Sequence, residues 1–103
     1  MDRIGKLKEF LKSSPDDNFL LHALALEHIK TGEEAEARRL FESILNRDPS
    51  YVGSYYHLAK LLERQGETDA AIAWYEKGME AARKAGDNHA LGELRSAYEE
   101  LTF

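Results

Sequence analysis

Four histidines, His22, His28, His57 and His89, are the side chains of this sequence best equipped for chemistry, and their spacing argues against it. Two imidazoles share a metal on one helix when they stand four residues apart on the same face. No pair here does, and there is no cysteine to assist. The acids Glu33-Glu34, Glu76-Glu80 and Glu99-Glu100 could be taken for catalytic carboxylate pairs, but helical spacing puts them on outer faces, where solvated charge accounts for them better than acid–base work. Neither a Gly-rich phosphate loop nor a Ser-centred nucleophile turn is present. The expectation is a non-enzyme with no catalytic residue, no metal site, no cofactor and no small-molecule substrate.

The elements that would carry any other function are helical. Ile4, Leu7, Phe10 and Leu11 recur at steps of three and four, predicting a helix over about 2–12. Ser13-Ser14-Pro15 ends it, because the residue before proline is pushed out of the α region. Asp16 or Asp17 then caps a helix to about Lys30. That helix carries Phe19, Leu20, Leu21, Leu24, Ala25, Leu26 and Ile29, too apolar for one buried face, so two faces need cover. A turn at Thr31-Gly32-Glu33 leads into a helix over 33–46, which Asp48-Pro49 stops. A second pair follows over 50–65 and 67–85, and a last helix, capped by Asp87 or Asn88, carries Leu91, Leu94, Ala97, Tyr98 and Leu101. No stretch alternates with a period of two, so no strand is expected.

Composition agrees with an ordered globular chain. Its 103 residues are 43% hydrophobic and 32% charged, with two prolines and seven glycines, enough for about one domain. Nineteen acids against fourteen bases give a net charge of −5, which argues against a nonspecific nucleic-acid or anionic-membrane surface, since those need a dense basic face. No secretory leader pattern opens the chain and no apolar run is long enough to span a bilayer, so a cytoplasmic setting is the expectation.

Leu24-Ala25, Gly32-Glu33, Ala37 and Glu42 return thirty-four positions later as Leu58-Ala59, Gly66-Glu67, Ala71 and Glu76. With this period the sequence resembles the tetratricopeptide repeat family, marked by a large apolar residue, Leu-small and an aromatic on the first helix of a hairpin, then Ala, an aromatic and Pro on the second. The first repeat reads Leu21, Leu24-Ala25, His28, Ala37, Phe41, Pro49. The second reads Tyr55, Leu58-Ala59, Leu62, Ala71, Tyr75, with Arg83 in place of the proline, so its second helix can run on to Ala85. The resemblance implies an all-α fold, a short right-handed α-solenoid of about six helices in one domain: a half repeat (1–15), two full repeats (16–49 and 50–85) and a capping helix (87–103). Leu7 and Pro15 match Phe41 and Pro49 at the same step, while Arg95 takes the small position of the last helix and would block a further partner. His28 falls in an interior aromatic slot.

The resemblance implies a scaffold that binds a protein or peptide in a concave groove lined by first helices. In this register the groove residues are Phe19, His22 and Leu26, then Tyr56, Lys60 and Arg64, then His89 on the cap, with an apolar end and a basic end suited to an extended segment bearing an apolar anchor and a carboxylate. A subset of the family grips acidic chaperone tails with Lys, Asn, Asn, Lys and Arg. This chain has His22, Leu26, His57, His89 and Glu93 at places of that set, so the clamp is absent. The alternative is a self-assembly module, a homodimer covering the excess apolar surface. A third reading, a His phosphotransfer protein, rests on a weak likeness of His28-Ile29-Lys30-Thr31-Gly32 to a phosphoacceptor helix and requires an exposed His28.

Overall fold

The computed structural model describes residues 2–103. It contains α1 (Arg3–Ser13), α2 (Asn18–Lys30), α3 (Glu34–Arg47), α4 (Gly53–Arg64), α5 (Thr68–Ala85) and α6 (Asn88–Thr102). There is no strand among the described residues. The helices gather into two compact units, one reaching to Arg47 and the other running from Asp48 to Phe103, with the break at the Asp-Pro stop.

In the first unit α2 packs against both α1 and α3. That arrangement answers the apolar excess of α2, whose Leu21, Ala23, Leu24, Ala25 and His28 are buried. Ala25 and Ala37 are both fully buried, and at such small residues two helices approach closely. The α1–α2 turn is tied down by Arg47, whose Nη2 donates to the Asp16 carbonyl at 3.2 Å and to Asn18 Oδ1 at 2.8 Å. Asp17, rather than Asp16, caps α2 by accepting from Leu20 N–H at 3.1 Å. Phe10 stands one repeat before Ile44, which is fully buried, yet it is 61% exposed.

The second unit inverts this order, for α5 packs against α4 and α6. Gly78 makes the approach possible. A Cβ there would lie 2.7 Å from the Tyr55 Cβ and 3.2 Å from a Leu94 methyl. As expected from the missing proline, α5 runs on to Ala85.

Three helix ends share one device. Gly32, Gly66 and Gly86 all adopt positive φ, between 70° and 81°. The N–H after each glycine bonds back to a carbonyl five residues earlier, from Glu33 to His28 (2.8 Å), Glu67 to Leu62 (2.9 Å) and Asp87 to Ala82 (2.9 Å). This is the Schellman closure, which satisfies carbonyls that the helix leaves free and which glycine adopts without a Cβ penalty.

One boundary differs from the sequence expectation. The helix predicted from Ser50 starts at Gly53. Asp48 captures the intervening residues, its carboxylate accepting from the Ser50 N–H at 3.2 Å and the Ser50 hydroxyl at 2.6 Å. The local side-chain bonds outcompete another helical turn. Tyr55 then secures the loop, donating its hydroxyl to the Pro49 carbonyl at 2.6 Å.

Candidate functional site

Helices α2, α4 and α6 occupy the first-helix places of the repeat, and α1, α3 and α5 the second-helix places. The unit from Asp48 to Phe103 is therefore the one that holds two first helices, α4 and α6, both packed on α5 and touching each other. Their shared face forms a depression lined by Tyr56 from α4 and by Asn88, His89, Gly92, Glu93 and Ser96 from α6. Two expected groove residues, Tyr56 and His89, are thus brought together.

Lys60 follows Tyr56 by one helical turn. Its Nζ lies 5.7 Å from the Tyr56 ring centre, within cation–π range, and 3.5 Å from Glu63 Oε2. Glu63 also accepts the hydroxyl of Tyr75, a fully buried ring on α5. Burial first, and then the Glu63 carboxylate, push the Tyr75 phenol well above the usual tyrosine range. The Tyr75 ring meets Tyr56 edge-on at 6.4 Å. The cation expected to grip a partner's carboxylate is accordingly matched inside the unit by an acid that a core aromatic holds in place. Arg64, one turn further along, is exposed.

Across the depression, His89 Nε2 lies 3.4 Å from Glu93 Oε1, with both side chains largely exposed. On α4, His57 feels the same carboxylate. Burial lowers its imidazole's proton affinity, Glu93 partly restores it and Arg64 lowers it further.

The other three expected groove residues lie on α2 in the first unit. Phe19 is 71% exposed, while His22 and Leu26 are half-buried. Steps of three and four place them on one face. His22 meets Phe41 edge-on at 5.5 Å, so part of its surface belongs to the core. His28 is 4% exposed, and its Nδ1 makes no hydrogen bond although Glu33 Oε1 stands 3.4 Å away. An imidazole at this depth is out of reach of a phosphoryl donor, which removes the phosphotransfer reading. Among the described residues, no three His, Asp or Glu side chains converge as a metal site requires.

Sequence reasoning named Lys60 without its restraint. The Lys60–Glu63 spacing of three is a legible helical pair, but nothing local links Tyr75 to Glu63 twelve positions earlier.

Antiparallel helix pairs at a step of thirty-four residues, closed by the same glycine turn, define a helical-hairpin repeat protein. The family model for the tetratricopeptide repeat matches residues 22–87, and the chain belongs to that family of protein–protein interaction modules. It is 29% identical over 76 residues to the mouse interferon-induced protein with tetratricopeptide repeats 3, a match spanning 74% of this chain but 19% of that protein. A tetratricopeptide repeat domain protein from Salinibacter ruber, known from a crystal structure, is 45% identical, with a TM-score of 0.81 over 84% of this chain and 96% of that one. A Bordetella parapertussis protein known in solution has a TM-score of 0.84 over 99% of this chain and 89% of that one; at 24% identity the likeness is one of fold.

Proposed function

We propose that this chain is a non-enzymatic protein-binding module that takes an extended partner segment along the first-helix face of α4 and α6. The contacts are Tyr56, Lys60, Arg64 and His89 on α4 and α6; Phe19, His22 and Leu26 on α2 are a separate candidate contact face of the first unit. The observation that carries this reading is the depression between α4 and α6, where an aromatic ring, a carboxylate, an amide and a hydroxyl converge on open space. A few convergent polar groups beside an aromatic wall is the usual make-up of a peptide-binding surface.

Self-assembly takes second place for a reason of register. Arg95 stands at the position of Ala25 and Ala59, and Arg3 at that of Ala37 and Ala71, all four alanines being fully buried. A second copy completing a hairpin with α6 would bring two guanidiniums together at the closest approach, where like charges repel. Light scattering across a concentration series is expected to report a monomer.

Peptide display on the intact chain, followed by amide mapping of the selected binders, tests the proposal. Binders should perturb Tyr56, Gly92 and Ser96, and Tyr56→Ala should weaken them about tenfold, the loss expected of a central aromatic contact, with helicity unchanged. Binders that map to α3 or to the outer face of α5 would sink it.

A further inference from the structure

The charge balance of the α4–α6 depression has a definite sign. Of the net −5 on the chain, the unit from Asp48 to Phe103 contributes ten acids against six bases. On the groove face of α4, Lys60 is matched by Glu63, and Arg64 lies one turn further along. Glu93 Oε1 lies 3.4 Å from His89 Nε2, and its carboxylate also acts on His57. The residues that line the depression thus include one carboxylate, Glu93, and neither a lysine nor an arginine.

The remaining lining suits the same kind of ligand. Tyr56 presents an aromatic ring whose cation–π partner is Lys60, and its edge offers apolar surface to the stem of a long side chain. Asn88 and Ser96 offer an amide oxygen and a hydroxyl as acceptors on the same helix as Glu93. At Gly92 a Cβ would meet nothing within 4 Å, so the floor is open to the stem of a long side chain.

We infer that this depression is a seat for a basic side chain, an arginine, of the partner segment, its guanidinium donating to Glu93 and its stem lying against Tyr56. Arginine fits better than lysine, because its planar fork of N–H donors can meet the Glu93 carboxylate with two parallel bonds. This inference rests on the peptide-binding reading above and gives its anchor a charge opposite to the carboxylate that the sequence alone favours.

The test uses the intact, isotopically labelled chain titrated with capped tetra-arginine, tetra-lysine and tetra-glutamate. Tetra-arginine is expected to shift the Gly92, Glu93 and Ser96 amides at the lowest concentration, followed by tetra-lysine. Glu93→Gln should weaken it about fivefold, the loss expected for one partly exposed charge pair. Glu80→Gln, which removes an equal charge from α5, should change it less than about twofold if the site rather than bulk charge is read. Equal weakening by the two substitutions would overturn the seat. Tetra-glutamate binding at the same amides would overturn the basic anchor and leave the peptide-binding reading standing. If no peptide shifts these amides while display yields binders that map to them, the arginine seat fails alone; if display also yields none, both readings fail.

Discussion

The hydroxyl of Tyr75 on α5 donates to the carboxylate of Glu63 on α4, so the acid that neutralises Lys60 is held from within the core. Tyr75→Phe keeps the ring and removes that bond. Hydrogen bonds to charged groups contribute about 1.5–3 kcal/mol, and Glu63 retains enough solvent to recover part of it, so a loss of about 1–2 kcal/mol in urea unfolding is expected.

Burial of the Tyr75 ring, reinforced by the Glu63 carboxylate, sets an alkaline limit. The folded chain keeps the Tyr75 proton to a higher pH than the unfolded chain does. Its stabilisation is therefore whole below the ordinary tyrosine value of about 10 and is lost as pH rises beyond it. Urea midpoints at pH 8 and near pH 11 should fall further apart in the parent chain than in Tyr75→Phe.

His57 works at the acid side. Burial holds its imidazole below the usual value, Glu93 opposing and Arg64 reinforcing the shift. The folded state thus binds this proton less readily than the unfolded state, and stability present above about pH 6.5 drains as pH falls. Melting temperatures at pH 7.5 and 5.5 should differ less in His57→Gln than in the parent.

Gly78→Ala opposes two effects on one helix. Alanine gains about 1 kcal/mol of helix propensity, but its Cβ would stand 2.7 Å from that of Tyr55, a backbone-anchored atom that cannot swing away. Overpacking of this kind costs about 1–3 kcal/mol, so the net change is destabilising. A raised urea midpoint would contradict the close α4–α5 approach.

His28→Leu replaces the buried, unbonded Nδ1 by an apolar group of similar size. Removing an unsatisfied polar atom without opening a cavity should leave stability unchanged or raise it by up to about 1 kcal/mol. A loss beyond about 2 kcal/mol in chemical unfolding would mean that the Glu33 carboxylate contributes a real ion pair.

Much of this protein was legible in residue order because the forces concerned act over a few positions. The thirty-four-residue step located the helix pairs, Gly32 and Gly66 marked turns that need positive φ, and Ser14-Pro15 and Asp48-Pro49 stopped helices through backbone sterics. Ala25, Ala37, Ala59 and Ala71, chosen as close-approach positions from their register alone, are all fully buried. His28 was assigned to the interior by the same register.

What the order of residues left open depended on partners distant in the chain or on competition at one carboxylate. Asp48 could have admitted a helix from Ser50, and its capture of Ser50 decided otherwise. The grouping of α4 and α6 on α5, which makes a face from Tyr56 and residues more than thirty positions away, is a property of packing. So is the hold on Glu63, the acid that pairs with Lys60, which the hydroxyl of Tyr75 bonds from twelve positions further along the chain. Local chemistry determined which helices form and where they turn, whereas the residues that line the α4–α6 depression were brought together only when three helices met.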